Sequence, residues 1–287
     1  MRNRGRAFPI LALFFLFLTT SAHSQTIKIK GSDTLQPLAE RWAQVYAKKK
    51  PATHLVVSGG GSSVGIAALL RGETDVAEAS RPISDAEKEQ FKKEGKTLLD
   101  LVVASDAVEI IVNSSNPISV LSMQQVKGIF TGTITNWKEV GGPDAQINTY
   151  GRDSASGTHA FMQEHTMRGD KYVSSIKEFS TNAPMVAAVI RDPGGIAYSG
   201  LASAKFAKHL RIQNEPGSPA IEPSAQNVAA GKYPLSRQLH WYLAARPAGD
   251  LKDLCEWVIS ADGQAIVETI GFLPLNTEAR AAAHSHL

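Results

Sequence analysis

The sequence predicts an α/β protein, and three observations carry that expectation. Short apolar segments of strand character alternate with amphipathic helical segments along the chain. Turns rich in Gly, Ser and Thr separate them, and no period of roughly 20 to 50 residues repeats. Alternation of this kind predicts a sheet covered by helices on both faces.

The first 24 residues stand apart from that pattern. Arg2, Arg4 and Arg6 precede an apolar run from Ala7 to Leu18, and Thr19, Thr20, Ser21 and His23 end it. The run is too short to span a bilayer, which takes roughly 20 residues. Ala22-His23-Ser24 places small residues where signal peptidase cuts, so residues 1–24 are expected to be a secretory leader cleaved after Ser24.

The mature chain then reads as follows. A strand over TIKIKG (26–31) leads into a helix over 35–49, and THLVVSG (53–59) leads into a helix over 63–71. DVAEAS (75–80) precedes a helix over 84–94, where Ser84 and Glu87 have capping-box spacing. LVVAS (101–105) and AVEIIVN (107–113) are nearly continuous, and the next helix, over 122–130, repeats the box with Ser122 and Gln125. INTYGR (147–152) feeds a helix over 157–166; a helix over 183–191 precedes GIAYSG (195–200). A helix over 224–230, the strand LHWYLAA (239–245) and a helix over 249–260 complete the set. AVEIIVN and LHWYLAA are candidate crossings between two lobes, although one large open sheet also fits these elements.

Composition excludes several functions. The chain has 30 basic and 27 acidic side chains; the leader holds three Arg and no acid, which leaves 27 of each and a formal charge of zero. A neutral surface argues against nucleic acid as a partner. Cys255 is the only cysteine, which rules out an internal disulfide, a cysteine metal cluster and a lipid-bearing cysteine near residue 24. It shares a helical face with Leu251, Leu254 and Val258 and is expected in the core. The four tryptophans are read as core or lobe-surface residues.

The chemistry concentrates where strands feed helices. GSDTL (31–35), SGGGSSVG (58–65) and GRDSASGTHAF (151–161) each end a strand and open a helix. The first N–H groups of a helix lack acceptors and carry the positive end of its dipole, glycine admits a ligand close to the backbone, and hydroxyls add neutral donors. Three such starts with Arg152 make an anion site that needs little net charge. Ordinary N-capping explains any one of the turns equally well.

Gly61-Ser62-Ser63-Val64-Gly65 also fits the G-x-S-x-G nucleophile elbow, so a serine hydrolase that recruits His159, His165, His209 or His240 is an alternative. The His159 to His165 spacing is not that of a helical metal pair, and SGGGSSVG lacks the lysine of a nucleotide P-loop, so no metal or cofactor is expected.

Taken together, GSDTL (31–35), GGGSSVGIAALLRGETDVAEASRPIS (59–84), LSMQQVKGIFTGTITNWKEVGG (121–142), GRDSASGTHAFM (151–162), GGIAYSG (194–200) and YPLSRQL (233–239) resemble the phosphate-binding component of bacterial phosphate ABC importers, in the type II periplasmic binding protein superfamily. The resemblance spans nearly the whole mature chain in the right order. It implies a two-lobed α/β fold with a ligand cleft, lobe I from 25–106 and 236–287 and lobe II from 107–235. It also implies a periplasmic monomer that binds inorganic phosphate without chemistry and hands it to an ABC permease and ATPase complex. A phosphate-sensing or attachment role for the same fold stays open.

Carried over residue by residue, the resemblance places Thr34 and the Leu35 N–H at the anion, with Ser32 nearby. Ser62 joins them from the second turn, and Arg152, Ser156, Gly157 and Thr158 from the other lobe. Many family members carry an aspartate after the strand matching DVAEAS, where this chain has Ser80-Arg81-Pro82. Asp106 is the expected replacement, as an acceptor that favours a protonated oxyanion. Arg81 is expected as a second cation or as the partner of Asp106.

Overall fold

The computed structural model describes residues 25–285 and 287, so the expected leader lies outside the described residues. Strand β1 (Gln25–Gly31) is followed by α1 (Gln36–Lys49), with proline in its first turn and Leu38, Ala39, Trp42 and Tyr46 buried along one stripe. Next come β2 (Thr53–Ser58), α2 (Ser62–Arg71), β3 (Val76–Ala79) and α3 (Asp85–Lys93). Parallel pairing of β2 with β1 and of β1 with β3 follows from the helical crossovers between them. The Ser84 capping box on α3 is present in full.

Strand β4 (Leu99–Val112) is one continuous 14-residue element where two strands were expected. Beyond it lie β5 (Val120–Ser122), α4 (Met123–Thr131) with the Ser122 capping box, β6 (Asn148–Arg152) and α5 (Gly157–His165). Then follow β7 (Lys177–Phe179), α6 (Asn182–Arg191), β8 (Gly195–Gly200), β9 (Lys208–His209), β10 (Arg211–Gln213) and α7 (Ala225–Ala229). The chain returns through β11 (Ser236–Leu243) and ends in α8 (Gly249–Ile259), α9 (Ala261–Ile270) and α10 (Thr277–Ser285).

The strand order β2-β1-β3-β11-β4-β8-β6-β7 shows how two lobes share a connection. Leu99 to Ala107 of β4 pair with β11, whereas Val108 to Val112 pair with β8. The segment before β11 crosses beside β4, since the Val108 N–H donates to the Leu235 carbonyl and the Tyr233 hydroxyl to the Val108 carbonyl.

The cores divide at the same place. One cluster gathers Ile27, Trp42, Val103, Ala104, Trp241, Leu254 and Cys255; another begins at Ala107 and Val108 and gathers Phe130, Trp137, Tyr198 and Leu235. Cys255 is fully buried, as its helical face predicts. Trp42 and Trp241 meet edge to face at 5.4 Å.

Candidate anion site

The three Gly, Ser and Thr turns converge. Gly31 ends β1 with the Ser32 N–H on the Glu78 carbonyl (3.0 Å), which sets the first turn against the end of β3. The Leu35 N–H donates to the Ser32 carbonyl (3.0 Å), so this turn closes on itself and the Leu35 amide is not offered to a ligand. Thr34 is the group it presents: Thr34 Oγ1 and Thr158 Oγ1 share a hydrogen bond at 3.3 Å across the two lobes.

The second turn needs its glycines. Gly61 has φ 96°, and a Cβ there would lie 2.4 Å from the Ala155 carbonyl oxygen of the third turn. The Ser63 N–H donates to that same carbonyl (3.2 Å). Ser62 Oγ accepts from the Ser80 N–H at 3.1 Å and is fully buried.

In the third turn Ser156 caps α5, its Oγ accepting from the N–H groups of Thr158 (3.2 Å) and His159 (3.3 Å). Capping and donation are compatible, because a hydroxyl that accepts still has its own proton to give. Gly157 opens the helix so close to the other lobe that a Cβ would stand 2.2 Å from Ser62 Oγ and 2.7 Å from Ser80 Oγ. Ser32, Thr34, Leu35, Ser62, Arg152, Ser156, Gly157 and Thr158 thus lie buried in one interlobe seam.

The two expected cations have other duties. Arg152, 1% exposed, donates from Nε to the Phe179 carbonyl, from Nη1 to Asn182 Oδ1 and from Nη2 to the Ser180 carbonyl, and its Nη2 also reaches Asp33 Oδ2 of the opposite lobe at 2.7 Å. Arg81 is held by Glu87 through two bonds of 2.8 and 2.7 Å and by Ser63 Oγ at 3.1 Å. The expectation that Arg81 pairs with Asp106 is therefore corrected. The capping-box glutamate of α3 lies nearer and neutralises it.

Arg237 takes that place. It stands directly opposite Asp106 in the β11–β4 register and donates to Asp106 Oδ2 from Nε (3.0 Å) and Nη2 (2.6 Å). Its Nη1 donates to the Ser80 carbonyl and to Thr158 Oγ1, both at 3.0 Å. Burial pulls the Arg237 pKa below its ordinary value, with Asp106 opposing and Arg152 adding to the fall. Asp106 Oδ1 accepts from the Leu201 N–H (3.2 Å), so three N–H donors already occupy this carboxylate, which acts on the seam through Arg237.

Two residues were missed from sequence. Arg237 lies in the YPLSRQL segment that carried the resemblance, and a lone charge entering an apolar strand was the available signal. The other is Ser80, whose Oγ is buried without a hydrogen-bond partner among the described residues and faces Gly157. The hydrolase elbow is not assembled: Ser63 Oγ accepts from Arg81. His159 engages the Arg152 carbonyl, His209 pairs with Glu109, His240 pairs with Asp100, and His165 stacks on Phe161. No group of three or more His, Cys, Asp or Glu that could hold a metal occurs among the described residues.

Two α/β lobes joined through shared strands, with helix starts meeting between them, define a two-lobed binding protein, and the PBP superfamily domain matches residues 19–262. A phosphate-binding protein PstS from Pseudomonas aeruginosa is 32% identical over 273 residues, covering 89% of this chain and 84% of that protein. The PstS of Bacillus subtilis is 30% identical, covering 88% and 81%. The chain belongs to this PstS family of phosphate-binding proteins. A phosphate ABC transporter substrate-binding protein from Clostridium perfringens, solved with bound phosphate, superposes with a TM-score of 0.79 at 26% identity over 88% of this chain and all of that one. An ABC-type phosphate transport receptor from Vibrio cholerae gives 0.73 at 26% identity over 87% and 100%.

Proposed function

We propose that this chain captures inorganic phosphate between lobe I (25–106 and 236–287) and lobe II (107–235) and delivers it, chemically unchanged, to an ABC permease and ATPase complex from the periplasm. The observation that carries the reading is the seam at Gly157. There the start of α5 meets the Ser62 and Ser80 hydroxyls of the opposite lobe, with Thr34 and Thr158 alongside. Such a site offers an oxyanion amide and hydroxyl donors from both sides only when the lobes are shut.

Electrostatics support it. Arg152 with Asp33 and Arg237 with Asp106 form two buried ion pairs, so the seam is close to neutral and the anion is held by dipoles and hydrogen bonds. Arg237 donates to Thr158 Oγ1, which turns the Thr158 proton away from Arg237, toward Thr34 Oγ1 or an oxyanion oxygen beside it. The binding residues under this reading are Ser32, Thr34, Ser62, Ser80, Arg152, Ser156, Gly157 and Thr158, with Arg237 and Asp106 behind them.

Calorimetry on residues 25–287 stripped of ligand tests it. Phosphate should bind at micromolar concentration and sulfate far more weakly. Absence of phosphate binding overturns the reading, and equal sulfate binding reduces it to a general oxyanion carrier.

A further inference from the structure

Asp33 lies beside Thr34 in the first turn, yet neither composition nor family pattern singled it out. Its carboxylate, 9% exposed, joins all three turns. Oδ1 accepts from the Gly60 N–H of the second turn at 2.9 Å, and Oδ2 accepts from Arg152 Nη2 of the third at 2.7 Å. The second turn is moulded on it, since a Cβ on Gly59 would lie 2.5 Å from Oδ1.

The bonds of Arg152 divide unequally. Phe179, Ser180 and Asn182 hold the guanidinium within its own lobe, and only the Asp33 bond crosses the cleft. Arg152 is thus oriented in advance, with one edge aimed at lobe I. Opening the cleft would break the Asp33 contact and leave the others in place. Removing one partner of a buried, hydrogen-bonded charge pair acts mainly on the rate of leaving the bound state, because the remaining charge stays buried and unpaired.

We propose that Asp33 is a positioning residue that clasps lobe II through Arg152, and thereby sets how long the closed cleft holds its anion. This rests on the reading that an anion is held between the lobes. Asp33 itself need not touch that anion: it acts on the closed state by completing the donor pattern of Arg152 and fixing the Gly60 turn.

The test uses Asp33→Asn, which keeps the shape and the acceptor for Gly60 while removing the charge. Stopped-flow kinetics with inorganic phosphate should show release faster by about 10-fold or more, with an association rate within about threefold of the parent. Small-angle scattering of the ligand-free protein should show a larger radius of gyration in the variant, returning to the parent value at saturating phosphate. Asp85→Asn, which removes the exposed Lys88 partner, should change neither measurement. If Asp33→Asn does not fold, Asp33→Glu, with the charge kept and displaced by a methylene, should still release faster than the parent. Unchanged release together with an unchanged scattering profile overturns the clasp. Should the parent fail to bind phosphate, the ligand-free scattering comparison alone decides the clasp.

Discussion

Arg237 and Asp106 face each other across β11 and β4 where the chain passes between its lobes, and Arg237 carries the contact onward to Ser80 on one side and Thr158 on the other. A buried ion pair at a crossing point ties the stability of the connection to the geometry of the seam.

The first prediction concerns that pair. Asp106→Ala should destabilise the protein by about 3 to 5 kcal/mol, because it strands a buried guanidinium. Asp106→Leu combined with Arg237→Met should cost clearly less than the sum of the two single changes. Urea denaturation midpoints through the double-mutant cycle read this out, and strictly additive losses would show that the pair is not coupled.

Ser80 tests ligand contact without that structural burden. Its hydroxyl has no partner among the described residues, so Ser80→Ala should leave stability within about 0.5 kcal/mol and weaken phosphate binding by about 10-fold. Calorimetry beside a thermal melt separates the two effects. Unaltered affinity would remove Ser80 from the site.

Gly157 tests closure. The Cβ introduced by Gly157→Ala meets Ser62 Oγ at 2.2 Å and Ser80 Oγ at 2.7 Å, so the lobes should no longer shut fully. Phosphate affinity should fall by on the order of 100-fold. Scattering at high phosphate should report a more open molecule than the parent, and a closed profile would contradict the steric account.

Glu78 predicts a pH dependence. It is fully buried, Trp241 Nε1 donates to its Oε1 at 3.0 Å, and burial pushes its pKa up to about 8 from an ordinary 4.5. A carboxyl whose folded pKa is raised binds its proton more tightly when folded. Its stabilising contribution is complete below about pH 4.5 and is lost as the pH rises toward 8, by on the order of 3 to 5 kcal/mol. Glu78→Gln should flatten the stability profile through that window in denaturant titrations. An unchanged slope would mean that Glu78 does not titrate there.

Much of the fold was legible because local signals agreed with the tertiary structure. The strand, turn and helix succession gave the main helices through 249–260 to within two residues, and the Ser84 and Ser122 boxes mark helix starts. The misses have physical causes. Ser105-Asp106 reads as a polar break between two strands, yet Arg237 neutralises Asp106 and the backbone runs straight through. Helix α9 hid behind Gly263, an unfavourable helix residue that is used because a Cβ would meet the Trp257 carbonyl at 2.3 Å, and its own carbonyl accepts from Trp42 Nε1. At the site, residue types and turns were visible, but partners were not. Nothing local in the sequence says that Glu87 takes Arg81, that Arg237 takes Asp106, or that Asp33 reaches Arg152.

Strand β4 pairs with β11 from Leu99 to Ala107 and with β8 from Val108 to Val112, with no loop between the two stretches. A loop at that point would let the two halves of the molecule wander independently. A hydrogen-bonded ribbon of two strands bends and twists as one stiff spring, so any swing of one lobe against the other would follow a narrow arc and return the same atoms to each other. Backbone amides along the ribbon should accordingly be among the slowest in the chain to exchange with solvent, although they lie where the two lobes join.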